Sequence, residues 1–254
     1  MSPLSELYTE ISEVAELLHQ KGWAEKNAGN FSIRVDQTIE LQFSNKEIIL
    51  LKSYPLLADS VFLVTGKGKR MRDIAKSPYE NTIIIKINSA GDSYSIIDDK
   101  QITPTSELPT HLAIHNMITE RGSKERAVIH SHVTELIALS HIKEYCNQDS
   151  LNTLLWSMHP ETIMFIPDGL GFVPFCLPGS VEIAGTTVEA FRNHAIVLWE
   201  KHGVFSIAHN LNDSYDLIEI AAKSAEIYFM CAAASTLPQG LSPNQLDQMK
   251  EIEF

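Results

Sequence analysis

The sequence predicts a single α/β domain, more mixed than a doubly wound parallel sheet. Short apolar runs, such as Val61–Val64, Val128–Val133 and Ala195–Trp199, have the length of buried strands. Longer segments near the two ends, 5–21 and 212–234, carry apolar residues at helical spacing. No linker, internal repeat or low-complexity tract divides the 254 residues, so one domain spanning 1–254 is expected.

The elements follow in order. Leu7, Ile11, Val14, Ala15, Leu17 and Leu18 form one helical stripe that ends at Gly22. A polar turn, Trp23–Asn30, leads into an alternating strand, Phe31–Val35. Residues 36–60 read mostly as an insertion, with an apolar stretch at Ile48–Leu51. The strand Val61–Val64 runs into a glycine-rich loop, Thr65–Lys69. Thr82–Ile87 and Tyr94–Ile97 predict a hairpin around Ser89–Asp92. Pro104–Glu107 opens a helix through about Arg121, with Thr105 or Ser106 an ordinary N-cap. Val128–Val133 feeds a helix over Thr134–His141. Residues 161–175 are apolar with Pro and Gly interruptions, and 180–193 predicts a helix. Ala195–Trp199 is a strand ending near His202-Gly203, and Asn212–Ala234 is a long helix capped by Asn212 or Asp213.

Composition excludes several classes of partner. The formal net charge of −12 disfavours nucleic acid or an anionic membrane as the main partner. A small anionic substrate stays compatible, because backbone N–H groups can hold a phosphate locally on an acidic protein. The three cysteines, Cys146, Cys176 and Cys231, are too few and scattered for a disulfide framework and are expected to be reduced thiols of a cytoplasmic protein. The N-terminal residues show no signal-peptide pattern, and no apolar run approaches the ~20 residues of a membrane helix.

The chemistry concentrates at His130-Ser-His132. Residues i and i+2 of a strand share a face, so both imidazoles point the same way and can converge on one metal ion. His202 is the best candidate for a third ligand. On spacing alone, a pair of hydrogen-bonded core or surface histidines fits as well. Glu107 could act as a fourth ligand or as a proton carrier beside the metal. Gly66, Lys67 and Gly68 form a loop whose backbone could approach a phosphate, although a plain turn is the simpler reading. Asn27 and Asn30 are turn residues first and phosphate or hydroxyl donors second. His111 and His115, at i and i+4, lack the glutamate of a zincin motif and are expected to face solvent or a partner.

These pieces together resemble a known family. Gly29-Asn30-Phe31-Ser32, Thr65-Gly66-Lys67-Gly68, Pro104-Thr105-Ser106-Glu107, His130-Ser131-His132 and His202-Gly203 occur in the order and spacing of the class II aldolase/epimerase family, over about residues 10–235. That family contains sugar-1-phosphate aldolases and ribulose-5-phosphate 4-epimerases. The insertion between Val35 and Val61 fits a larger aldolase branch better than the shorter fuculose-phosphate branch. Two positions depart from the family pattern: Lys67 stands where Ser is usual, and Ala28 replaces a glycine.

The resemblance implies a three-layer α/β/α sandwich around a mixed, largely antiparallel sheet, assembled as a C4 homotetramer. It implies one zinc ion per subunit, held by His130, His132 and His202. It makes Glu107 the catalytic carboxylate and makes Asn27, Asn30, Gly66, Lys67, Gly68, Thr105 and Ser106 the phosphate cradle. Glu161 falls where the family places a second acid, contributed across a subunit interface. The implied reaction is reversible cleavage of a phosphorylated ketose to dihydroxyacetone phosphate and an aldehyde, with the metal as Lewis acid and no lysine Schiff base. Two rivals stay open: another sugar-phosphate reaction such as 4-epimerisation, and a metal-binding relative without catalysis.

Overall fold

The computed structural model describes residues 3–35, 43–97, 100–177 and 181–250. Helix α1 (Pro3–Gln20) precedes the strands β1 (Asn30–Val35), β2 (Phe43–Ile49) and β3 (Val61–Thr65). Two short helices, α2 (Met71–Lys76) and α3 (Pro78–Asn81), lead to the hairpin β4 (Thr82–Ile87) and β5 (Ser93–Ile97). Then come α4 (Leu108–Glu120), β6 (Ala127–Ser131), α5 (Thr134–Leu139), α6 (Gln148–Met158), α7 (Pro160–Phe165) and β7 (Leu170–Val173). The described chain closes with α8 (Val181–Phe191), β8 (Ile196–Trp199), β9 (Gly203–Ala208), α9 (Leu211–Ala233) and α10 (Pro243–Lys250).

The nine described strands form one sheet in the order β2-β5-β4-β3-β1-β6-β9-β8-β7. Every neighbouring pair is antiparallel except β7 and β8. The expected mixed, largely antiparallel sheet is therefore present. So are the three layers, because strand alternation sends apolar side chains to both faces. Phe31, Ile33, Leu63 and Ile129 pack with α1, α5, α6 and α9 on one face. Phe62, Val64, Val128, Val197 and Phe205 pack with α4 and α8 on the other.

Several boundaries differ from the sequence reading. The apolar stretch at 48–51 belongs partly to a longer edge strand, β2, which pairs with β5 across a register shift between Phe43 and Glu47. Residues 36–42 of that insertion, and Ser180 at the start of the expected 180–193 helix, lie outside the described residues. The helix after β6 ends at Leu139 rather than His141. The strand expected over Val128–Val133 is β6, Ala127–Ser131; β8 ends at Trp199 and a separate strand, β9, starts at Gly203; the sequence reading did not include α6.

Helix α9 is capped by Asn210, neither Asn212 nor Asp213. The extended backbone of Asn210 lets its side chain accept a hydrogen bond from Asp213 N–H at 2.7 Å. Asn210→Ala should remove that acceptor and cost about 1 kcal/mol. The check is a shift of the denaturant midpoint at unchanged slope; an unshifted midpoint would show that the cap contributes nothing.

Candidate active site

β1 lies between β3 and β6, with Asn30 directly opposite His130. Alternation along β1 sends Phe31 and Ile33 into the helical layer of α1 and α9. Asn30 and Ser32 therefore point to the opposite face, where α4 lies. His130 and Val128 share that face on β6, and His130 is completed there by Phe205 of β9, stacked at 4.3 Å and 19°, and by Trp199 at 5.4 Å.

His202 is brought in by the tight β8–β9 connection. Trp199 pairs with Gly203, Lys201 adopts a left-handed φ of 61°, and His202 N–H returns to Trp199 O at 3.1 Å. A Cβ on Gly203 would sit 2.4 Å from Ser131 O and 3.1 Å from His130 Cε1. Only glycine lets this strand approach the histidine pair so closely. The ligating atoms of His130, His132 and His202 all lie within 4.8 Å of one another.

The donor set fits a metal ion. His130 Nδ1 donates to Val204 O at 2.9 Å, and His132 Nδ1 donates to the Glu25 carboxylate at 2.8 Å. These bonds fix the tautomers and leave each Nε2 with a free lone pair. His130 Nε2 is buried without a hydrogen-bond partner, the state that ligation would relieve, and His202 Nδ1 is buried without one as well. Burial, then repulsion by His132 and by His202, holds His130 well below the usual histidine range. Burial and then His132 lower His202 as well. Neutral imidazoles are the form a metal requires.

Glu107 stands beside the triad. Its Oε2 lies 3.7 Å from His130 Nε2, too long for a hydrogen bond, and accepts Asn30 Nδ2–H at 3.0 Å. Glu107 itself occupies the N-cap position of α4, one or two residues later than the capping reading placed it. Thr105 contributes by accepting Glu107 N–H on its hydroxyl at 3.3 Å.

A cavity of about 450 Å³ opens over these groups, lined by Asn27, Asn30, Gly66, Lys67, Gly68, Thr105, Ser106, Glu107, His132 and His202. Lys26, Lys69 and Glu25 line it too; no spacing rule singled these out. The 65–69 loop docks on the 103–105 segment. Lys67 N–H bonds Thr103 O at 2.8 Å and Thr105 N–H bonds Thr65 O at 2.9 Å. Gly66 N–H bonds Asn81 O at 3.0 Å. Those amides are therefore committed. Among the described residues, Gly68, with φ +73°, and Ser106 keep backbone N–H groups without a hydrogen-bond partner. The start of α4 offers little else, since Leu108 N–H bonds Thr105 O and Pro109 has no N–H.

One sequence expectation changes. His111 and His115 face neither solvent nor a partner: they are 0% and 2% exposed. Leu108, His111, Leu112 and His115 recur at i, i+3, i+4 and i+7, so both histidines continue the buried stripe of α4. That stripe was the signal that could have found them. Burial, the dominant cause in both, lowers His111 to about 4 and His115 well below the usual range. Glu161, at the start of α7, is exposed, pairs with His159 Nε2 at 2.9 Å and does not line the cavity.

Residues 9–229 match the family described as Class II Aldolase and Adducin N-terminal domain, and the chain belongs to that family. It is 39% identical to the rhamnulose-1-phosphate aldolase of Bacteroides thetaiotaomicron over 251 residues, covering 97% of this chain and 93% of that protein. It is 34% identical to the rhamnulose-1-phosphate aldolase of Klebsiella pneumoniae, covering 89% of this chain and 85% of the relative. The crystal structure of a sugar-phosphate aldolase from Thermotoga maritima superposes with a TM-score of 0.84 at 33% identity, covering 94% of this chain and all of that one. The chain is accordingly a lyase of the metal-dependent aldolase type.

Proposed function

We propose that this chain is a zinc-dependent aldolase that reversibly cleaves L-rhamnulose 1-phosphate to dihydroxyacetone phosphate and L-lactaldehyde. The observation that carries this reading is the convergence of His130, His132 and His202 beside Glu107, on a cavity lined by the Gly66–Gly68 loop and Ser106. The rhamnulose-1-phosphate aldolases among the relatives supply the sugar. When bound, the ion supplies a Lewis acid for the charge that develops when the carbon–carbon bond breaks.

The chain's own groups do the rest. The Glu107 carboxylate, held by the Asn30 hydrogen bond, takes a proton from the hydroxymethyl carbon of dihydroxyacetone phosphate as the new bond forms, and returns it in cleavage. Glu161 serves the proton on the aldehyde-side hydroxyl. On this reading another copy of the chain brings it to the site, as a C4 homotetramer would allow. We read the protein as cytoplasmic, in line with three free cysteines and with no described helix long and apolar enough to cross a membrane.

The phosphate is held by Gly68 N–H, Ser106 and Asn27, with Lys67 adding charge where Ser is usual. Thr105 and Gly66 shape this cradle, and Asn30 has at most one free amide hydrogen to offer it. Lys67→Ala should therefore raise KM severalfold and leave kcat nearly unchanged. The penalty should shrink at high salt, where the charge is already screened. An equal KM for the variant at low salt would remove Lys67 from the cradle.

The reading as a whole is tested by coupled assay of dihydroxyacetone phosphate release from L-rhamnulose 1-phosphate and L-fuculose 1-phosphate, with L-ribulose 5-phosphate assayed for epimerisation. The highest kcat/KM is expected with L-rhamnulose 1-phosphate. A preference for either other sugar would move the chain to that reaction, and no turnover by metal-loaded protein would favour a non-catalytic relative.

A further inference from the structure

Behind Glu107 runs a line of buried polar side chains that the reaction as described does not use. Asn30, Ser32, His111 and His115 are 6%, 1%, 0% and 2% exposed. In the order His115, Ser32, His111, Asn30, each is hydrogen-bonded to the next. His115 Nε2 and Ser32 Oγ are 2.8 Å apart, and Ser32 Oγ and His111 Nδ1 2.7 Å. His111 Nε2 and Asn30 Oδ1 are 2.5 Å apart, and Asn30 Nδ2 reaches Glu107 Oε2 at 3.0 Å. Four polar side chains in an otherwise apolar layer are costly to bury, and such a line is tolerated because every member is satisfied.

The chemistry of the groups gives the line one direction. An ionised carboxylate can only accept, so Asn30 must turn its amide N–H toward Glu107 and its oxygen toward His111. His111 must then donate from Nε2. A neutral imidazole carries one N–H, so Nδ1 is left as an acceptor, and the Ser32 hydroxyl must donate to it. The Ser32 oxygen in turn accepts the Nε2–H of His115. Every hydrogen bond along the line is donated toward Glu107. The rings are locked in place: Phe62 packs on His115 at 4.6 Å, and Phe205 lies 5.7 Å from His111. Phe205 is also the residue stacked on His130.

We propose that His111, with Ser32 and His115 behind it, is a positioning residue that acts through Asn30 to hold the Glu107 carboxylate aimed at the reacting carbon. The inference rests on the reading of Glu107 as the proton carrier. Asn30 is thereby the last member of a relay of orientation, and its amide is largely committed before any phosphate arrives. The arrangement places α4, the helix that carries Glu107, His111 and His115, in direct register with β1, which carries Asn30 and Ser32.

The test compares His111→Leu, His111→Gln and Ser32→Ala in the metal-loaded enzyme, each measured for kcat, KM, metal content and thermal midpoint. His111→Leu should lower kcat about 10–100-fold, the usual cost of losing an orienting partner. KM should change little and metal content should not change. His111→Gln retains an amide N–H near the position of Nε2, and should recover most of kcat even if its thermal midpoint stays low. Recovery of the midpoint without recovery of kcat would overturn the proposal, as would a wild-type kcat in folded His111→Leu.

A cycle with Glu107→Gln separates this inference from the reading beneath it. In that background His111→Leu should cost no further rate. The same fold-loss in both backgrounds would show that His111 works by another route, even if Glu107 is the proton carrier. If Glu107→Gln alone keeps full turnover, the reading of Glu107 fails first. NMR of the imidazole nitrogens gives a readout independent of turnover. His111 should be neutral with its proton on Nε2, and Ser32→Ala should weaken that tautomer preference. A proton on Nδ1 in the wild-type protein would overturn the direction of the line. Should His111→Leu not fold, Ser32→Ala and His111→Gln carry the same comparison.

Discussion

Glu107→Gln is expected to fold, to load metal and to turn over about 10²–10⁴-fold more slowly, the usual contribution of a general acid–base group. The substitution is nearly isosteric. Its amide oxygen can still accept Asn30 Nδ2–H, the bond that measures 3.0 Å in the native site, so α4 and β1 keep their contact. What disappears is basicity: an amide oxygen in the place of Oε2, 3.7 Å from His130 Nε2, does not take up a proton as a carboxylate does. The loss should fall on kcat and kcat/KM alike, since a group that moves a proton only in the transition state adds little to ground-state binding. Glu107→Ala is the poorer probe, because it leaves the Asn30 amide unpaired in a buried place, at about 1–3 kcal/mol. Exchange of the hydroxymethyl hydrogen of dihydroxyacetone phosphate with solvent gives a second measurement that needs no aldehyde. The wild type should catalyse it and Glu107→Gln should not. Near-native cleavage and exchange by a folded, metal-loaded variant would falsify the role.

His130→Ala should lose both the metal and the activity. His130 is 1% exposed, and its ring is fixed by Val204 O at 2.9 Å and by Phe205 at 4.3 Å. Its Nε2 points into the site with no other partner. Removal takes away one ligand of three and opens a void beside Trp199, so the two remaining imidazoles are no longer held together. The effect should exceed the roughly 10–100-fold that orienting partners contribute. Elemental analysis of wild-type protein should give about one ion per chain. His130→Ala and His202→Ala should give almost none. Chelation should abolish activity in the wild type, and added zinc should restore it there but not in the variants. Full metal retention by either variant would point to other ligands. The fold should survive chelation, because the apolar clusters on both faces of the sheet are built without the site residues.

Local pattern made much of this protein legible in advance. The i, i+2 spacing of His130 and His132 is a short-range fact, although β6 ends at Ser131 and only His130 lies within the strand. The helical stripe of α1 and the turn residues between β4 and β5 are also short-range facts, and these elements formed where periodicity put them. The α9 cap was misread by a few residues because Asn210, Asn212 and Asp213 are all good caps, and only the backbone turn after β9 selects among them. His111 and His115 were misread for a related reason. Polar residues on an apolar stripe look exposed until their partners are known, and those partners, Asn30 and Ser32, lie on another element far away in the chain.

What only the tertiary structure decided is which strand lies beside which. The pairing of β1 with β6 sets Asn30 against His130, and the β8–β9 turn delivers His202 to the same point. The same packing commits the amides of Gly66, Lys67 and Thr105 to holding two loops together, while those of Gly68 and Ser106 have no hydrogen-bond partner among the described residues. It also brings Glu25 behind His132. Residue type and spacing set the chemistry each side chain can perform and the face it takes on its own element. The partners that fix its tautomer, burial and charge come from other elements, and local periodicity carries no record of those neighbours.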